Sequence, residues 1–273
     1  MSKLKFTLLS FIVVSLLLTS QALIAQQANV TTPQYTGKKG EIYFSWGYNE
    51  EWYTHSNIHV SQPSLGNHFT FKNTIAVDKP GWTGKFFHKP MTIPQYNYRI
   101  GYFFKNNWAV ELNFDHAKYV VAHQQLLHIK GTINHKPVDN YVDNGPDILG
   151  YQLNNGANFF LFNLVHRLQM PYVNFTNLNA ALLLKGGVGF MVPHVDNKIF
   201  GNQNDRGFQF GGLDVGAEAA MRITFFRHVY LEYCNKLVFT DYWGLKVYKG
   251  KARQSFGTYE MILNLGGTFP IGH

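Results

Sequence analysis

Residues 213–236 read LDVGAEAAMRITFFRHVYLEYCNK, and their pattern decides the fold. Leu213, Val215, Ala217, Ala219, Met221, Ile223 and Phe225 alternate with Asp214, Gly216, Glu218, Ala220 and Arg222. A period of two belongs to an extended strand rather than a helix. Phe226-Arg227-His228 interrupts the pattern, after which Val229, Leu231 and Tyr233 alternate with Tyr230, Glu232, Cys234 and Lys236. In an antiparallel hairpin, a three-residue loop at 226–228 sets Phe225 opposite Val229. The same register sets Arg222 opposite Glu232 and Glu218 opposite Lys236. Unlike charges that face each other stabilise a sheet and fix its register. Loop length and charge pattern therefore agree independently, and the hairpin has one apolar face and one charged face.

The arrangement recurs along the chain. Tyr96, Tyr98, Ile100, Tyr102 and Phe104 alternate with Asn97, Arg99, Gly101 and Phe103. After Lys105-Asn106-Asn107, a turn signal, Trp108, Val110, Leu112 and Phe114 alternate with Ala109, Glu111, Asn113 and Asp115. Four further stretches carry the same alternation: Ile42 to Tyr48, Phe160 to Leu168, Leu182 to Phe190 and Tyr259 to Phe269. The total is eight strands in four hairpins. Connections near 105–107, 169–177 and 226–228 are short, whereas those near 50–94, 122–157, 193–206 and 241–254 are long. Short turns at one end and long loops at the other, with aromatics outside and sparse charges inside, predict an all-β fold. It is a single eight-stranded antiparallel transmembrane β-barrel with short periplasmic turns and long extracellular loops. Its lumen is expected to hold a structural network of Arg99, Glu111, Asp115, Arg167, Lys185, Asp214, Glu218, Arg222, Glu232, Lys236 and Glu260. Five of these are basic and six acidic, and an interior this narrow is filled by side chains whose charges must pair.

The N-terminus reads as an export signal. Lys3 and Lys5 precede an apolar run from Leu4 to Leu18, and small residues stand at Ala22 and Ala25. A basic start, an apolar middle and a small-residue cleavage site form the secretory pattern, so residues 1–25 are expected to be removed and 26–273 to form the barrel. Without Lys3 and Lys5 the formal charge of +8 falls to +6. Export makes lipopolysaccharide phosphates and other outer-membrane lipid the expected partners, and removes nucleic acid. One cysteine, Cys234, leaves no internal disulfide.

On these strands the chain resembles the small eight-stranded outer-membrane barrels of the OmpA, OmpX and OmpW families. Asn264-Leu-Gly-Gly-Thr-Phe269 is similar to their closing strand with its terminal aromatic, although here Pro270 to His273 run past it. The resemblance implies a porin-like envelope protein of Gram-negative cells. Within this class, a lipid A-modifying enzyme would need a paired His and Ser, and an OmpW-like conduit for small hydrophobic molecules would need an apolar lumen. His55 and Ser56 are adjacent and so point to opposite sides of an extended chain, and His116 has no serine partner that the sequence reveals. Eight histidines fall in the long loops (His55, His59, His68, His88, His123, His128, His135 and His194) without a recognised metal spacing. No catalytic, cofactor or metal residue is therefore assigned. The reading is a non-enzymatic structural or accessory barrel whose outer loops bind a partner protein or glycolipid. The 50–94 loop, which has β character at 68–72 and 73–77, is the expected protein contact. Lys246, Lys249, Lys251 and Arg253 in the last loop are the expected glycolipid contact.

Overall fold

The computed structural model describes residues 37–79, 81, 95–145, 147–153, 156–175 and 178–271. Residues 1–25, expected to be an export signal, lie outside them. In chain order the first strands are β1 (Glu41–Tyr53), β2 (Ser56–Gln62), β3 (Asn67–Thr74), β4 (Ala76–Val77), β5 (Tyr96–Lys105) and β6 (Trp108–Asp115). They are followed by β7 (Tyr119–Val121), β8 (Leu126–Ile133), β9 (Lys136–Asp143), β10 (Leu149–Leu153), β11 (Phe159–Phe175) and β12 (Leu178–Met191). The last are β13 (His194–Ile199), β14 (Asn202–Gln203), β15 (Gly207–Phe208), β16 (Gly212–Phe225), β17 (Val229–Val247) and β18 (Gly250–Pro270).

Eight of these neighbour one another in the order β1-β5-β6-β11-β12-β16-β17-β18, and β18 then pairs with β1 from Glu41↔Pro270 to Tyr53↔Thr258. The sheet thus returns to its first strand. The register holds Arg222 opposite Glu232 and Glu218 opposite Lys236, with Phe225 opposite Val229. Alternation sorts the side chains. Phe44, Ile100, Val110, Leu112, Phe162, Leu164, Val215, Leu231, Leu263 and Leu265 are exposed on the outside, while Ser45, Arg99, Glu111, Asn163, Glu232 and Asn264 are buried within. A soluble sheet puts its apolar side inward. This ring does the reverse, as a wall that faces lipid must.

Among the described residues, the four long connections, expected as loops, are largely strands. The 241–254 stretch contains no long loop at all. β17 and β18 stay paired up to Val247↔Gly250, with one register shift between Tyr242 and Leu245. The physical reason is a polarity inversion along unbroken strands. Outward positions of β18 are apolar from Tyr259 to Phe269, but become Ser255, Arg253 and Lys251 above. Its inward positions change from Asn264, Glu260 and Thr258 to Phe256 and Ala252. β17 inverts at the same level, where Asp241 lies opposite Ser255. The charged residues that resemble a loop in sequence are the solvent face of a sheet leaving the membrane level.

The 50–94 connection supplies β2, β3 and β4; 122–157 supplies β8, β9 and β10; and 193–206 supplies β13 and β14. β2, β3, β8 and β9 extend the wall beyond β18, while β14, β13, β10, β7 and β4 form a second sheet. Residues of both sheets share one apolar core that includes Ile58, Phe69, Phe71, Leu127, Tyr151, Val195 and Phe256. The single barrel expected from sequence therefore carries a folded sandwich at its outer end. In β1 odd-numbered residues are buried, but after Thr54-His55 the buried positions of β2 are the even ones, Ser56, Ile58, Val60 and Gln62. This parity change turns the apolar side from lipid to core.

Phe71 is fully buried and meets Phe69, with ring centroids 5.2 Å apart. Phe71→Ala should cost the sandwich about 3–5 kcal/mol. The expected outcome is protease cleavage in the outer strands at urea concentrations that leave the wild type intact, with heat-modifiable migration of the barrel retained on unboiled gels.

Candidate functional site

Two sets of side chains stand out: a buried ionic network in the lumen and an exposed basic sheet face above it. The network centres on Lys185 of β12. Its Nζ lies 3.1 Å from Glu111 of β6, 2.8 Å from Glu218 of β16 and 2.9 Å from Glu232 of β17. Arg222 Nε donates to Glu232 at 2.6 Å. Arg99 reaches Asp115 at 2.7 Å and Glu218 at 3.8 Å. Lys236 pairs with Asp115 and, at 3.3 Å, with Glu260. Nine of the eleven residues expected in the lumen are thus linked by ion pairs. Arg167 is buried as well, but its Nη2 donates to Asn179 at 2.5 Å. Asp214 is buried outside the ion-pair set.

Sequence reasoning missed part of this interior. Tyr43 donates its hydroxyl to Glu111 at 2.9 Å. The Arg222 guanidinium lies over the rings of Tyr43 and Tyr230, 4.4 and 4.0 Å from their centroids. Glu41 and Glu51 are also buried on β1. The parity of β1, which places odd residues inward, was the signal available for all but Tyr230, whose own strand places even residues inward. With Glu41 and Glu51 included, eight acids and five bases are buried among the described residues, so the near balance read from sequence becomes an acidic excess there.

Lys246, Lys249, Lys251 and Arg253 are exposed, but on paired strands and their turn rather than on a loop. Lys246 lies directly opposite Lys251. Cross-strand rows continue from them. One runs Lys251, Ser61, His68 and Thr132; the next runs Arg253, His59, Thr70, Lys130 and Asp139. A third contains Lys72, His128 and Tyr141. The only acid in these rows, Asp139, is held by His128 at 2.6 Å and Lys130 at 2.8 Å. Those hydrogen bonds lower its pKa to about 2. Arg253 also touches Asp241 at 3.1 Å, at the level where the strands invert. The face is rich in cationic residues and backed by the sandwich core.

Other candidates resolve into local contacts. His55 is exposed and bonds Asn73, whereas Ser56 is buried and bonds Tyr119 at 3.2 Å. His116 stacks on Tyr96 and bonds Asn158 at 2.9 Å. Glu218, Glu232 and Cys234 bring metal-type ligand atoms within 4.8 Å of one another, but the Lys185 ammonium already sits against both carboxylates. Among the described residues, no histidine belongs to a set of three metal-type ligands. His88 lies outside the described residues.

No protein-family model and no curated protein matches the chain. Among solved structures it is similar to the outer membrane protease OmpT from Escherichia coli, with 10% identity and a TM-score of 0.40 over 88% of this chain and 99% of that one. Ail, the attachment invasion locus protein of Yersinia pestis, matches with 13% identity and a TM-score of 0.33 over 85% and 99%. The N-terminal β-barrel domain of Pseudomonas aeruginosa OprF matches with 11% identity and a TM-score of 0.33 over 85% and 98%. With a strand ring that returns on itself, apolar outside and ion-paired inside, the chain has the fold of an antiparallel transmembrane β-barrel.

Proposed function

We propose that this chain is an exported, non-enzymatic outer-membrane barrel that serves as a platform. Its lumen is a structural plug, and its outer sheet face binds the anionic groups of surface glycolipid. The position of the basic rows carries this reading. Arg253 and Lys251 are the first outward charges above the apolar belt of β18, and Lys246 lies opposite Lys251. Basic residues directly above the apolar belt suit the phosphates of a lipopolysaccharide leaflet. Basic residues next to an anionic surface contribute about 1 kcal/mol each. The 50–94 connection, expected as a protein contact, contributes β2 and β3 to this same face.

The rival readings find less support. A conduit for hydrophobic molecules needs an apolar path, whereas Lys185, Arg99 and Lys236 cross this lumen to carboxylates on non-neighbouring strands. A lipid A acyl hydrolase or transferase needs a nucleophile beside its base, within about 3 Å. His116 bonds Asn158, and His55 and Ser56 lie on opposite sides of β2 and its approach.

Three measurements test the proposal. Lys249→Cys and Asn140→Cys should react with a membrane-impermeant maleimide on intact cells, and Arg227→Cys only after lysis; Cys234 is buried and adds little background. Equal labelling of both sets would refute the orientation. The purified protein in detergent should bind phosphorylated lipopolysaccharide more tightly than the dephosphorylated form, and less tightly as salt rises. Reversing Lys246, Lys251 and Arg253 to glutamate should weaken binding by about 100-fold or more, and unchanged affinity would remove the glycolipid reading. Glu218→Lys places a third cation between Lys185 and Arg99. It should cost about 3–5 kcal/mol in urea unfolding, whereas a water-filled pore would tolerate it.

A further inference from the structure

Among the described residues, eight acids and five bases are buried, so three acids have no buried base to match them. The outer rim of the ring holds a concentrated part of this excess. Glu51 of β1 lies directly opposite Glu260 of β18, and both are buried. Like charges facing each other across a sheet destabilise it. Asp78, which follows β4, joins them. Its Oδ2 accepts the Glu51 backbone N–H at 2.8 Å, and its carboxyl is within hydrogen-bond reach of the Glu51 carboxyl. A single nitrogen, Gln95 Nε2, lies 2.7 Å from Glu51 Oε2 and 3.0 Å from Asp78 Oδ2. The cluster sits at a seam, because the β1–β5 pairing ends at Tyr48↔Tyr96 and Glu51 lies beyond it.

What this cluster lacks is a cation. Lys236 is the base that reaches Glu260, and it is shared with Asp115. Among the described residues, neither Glu51 nor Asp78 has a basic partner. Lower in the lumen the comparable group of Glu111, Glu218 and Glu232 surrounds the Lys185 ammonium. A second, independent observation concerns the amides beside the carboxylates. Asn49 and Gln95 are both buried, and Asn49 Oδ1 and Gln95 Oε1 have no hydrogen-bond partner. Their nitrogens point at Glu51, so a half-turn of either amide brings an unpartnered oxygen to the same place. Glu260 Oε2 also lacks a donor.

From these contacts we infer that the rim cluster binds a hard divalent cation of the calcium–magnesium class. Glu51 and Asp78 are the carboxylate ligands, and Asn49 and Gln95 supply further oxygens. The donor set contains oxygen alone, without histidine or thiol, which suits calcium or magnesium rather than zinc or copper. Asp78 is only partly buried and gives the ion access from outside. A bound ion ties the rim of β1 to the segment after β4 and closes the seam between barrel wall and sandwich. This inference stands apart from glycolipid binding, which uses other residues on another face.

The test uses the full protein in detergent with terbium as the probe, because the Tyr53 hydroxyl lies 3.4 Å from Glu51 and can sensitise it. Expected are saturable terbium luminescence displaced by calcium, a melting temperature raised by calcium chloride and lowered by EDTA, and at least tenfold weaker binding in Glu51→Gln and Asp78→Asn. Asp139→Asn, on the exposed face, should bind as the wild type does. Should Glu51→Gln fail to fold, Asp78→Asn, at the partly exposed ligand, carries the comparison. No calcium response in the wild type, or undiminished binding in the folded variants, overturns the site. So does a melting temperature that follows pH but not calcium and rises in Glu51→Gln without metal, since the two carboxyls would then share a proton instead of an ion.

Discussion

The contact on which the rest of the barrel depends is that of Lys185 with Glu111, Glu218 and Glu232, which come from three different strands. An eight-stranded ring has an interior just wide enough for side chains, so a charge inside it has little room for solvating water. Each buried charge then needs a partner across the lumen, and one ammonium held by three carboxylates fixes the spacing of β6, β12, β16 and β17 together. Removing one member of such a set leaves a buried charge unpaired, which is far more costly than the pair is favourable. The network thus specifies the ring more than it strengthens it.

Space in the lower lumen is made by glycine. A Cβ on Gly101 would stand 2.1 Å from the Tyr43 ring, and one on Gly266 would stand 2.2 Å from the ring of Tyr230. Those two absences let both tyrosines lie inward against Arg222, which is held from one side by Glu232 and from others by aromatic faces. A guanidinium over a ring is favourable when desolvated. The arrangement packs aromatic rings around Arg222 in the short-turn half of the lumen.

At the outer end the same strands serve a different solvent. Above Asp241 and Ser255, β17 and β18 turn charges outward and apolar groups inward, so hydrophobic burial takes over from lipid contact. The join is polar and hydrogen-bonded. Tyr119 meets Ser56 at 3.2 Å and the Gln254 amide at 2.5 Å, and it stacks on Phe256. Burial pushes the Tyr119 hydroxyl up to about 12, against the pull of both hydrogen bonds. It therefore stays neutral at physiological pH and links the sandwich core to strands of the barrel. Cationic rows outside and an apolar core inside are two faces of one sheet.

Sequence alone determined the ring strands, their inward and outward faces and the hairpin register at 213–236, because a period of two and opposed charges are local properties. It also placed eleven charges inside, since parity assigns a side chain to a face. It did not reveal that residues 241–254 continue as strands. The alternation persists there, but with inverted polarity, and a run containing Lys246, Lys249, Lys251 and Arg253 resembles a loop when the far side of the sheet is unknown. Nor did it connect Lys185 to Glu111, or Glu51 to Asp78. Those contacts join strands that are neither sequence neighbours nor hairpin partners, and they exist only once the ring has closed with a particular stagger. Tertiary structure decided which buried charges meet, which acids are left over, and that the long connections pack on one another as a sandwich. Each depends on distances across the lumen or between sheets, which no local pattern encodes.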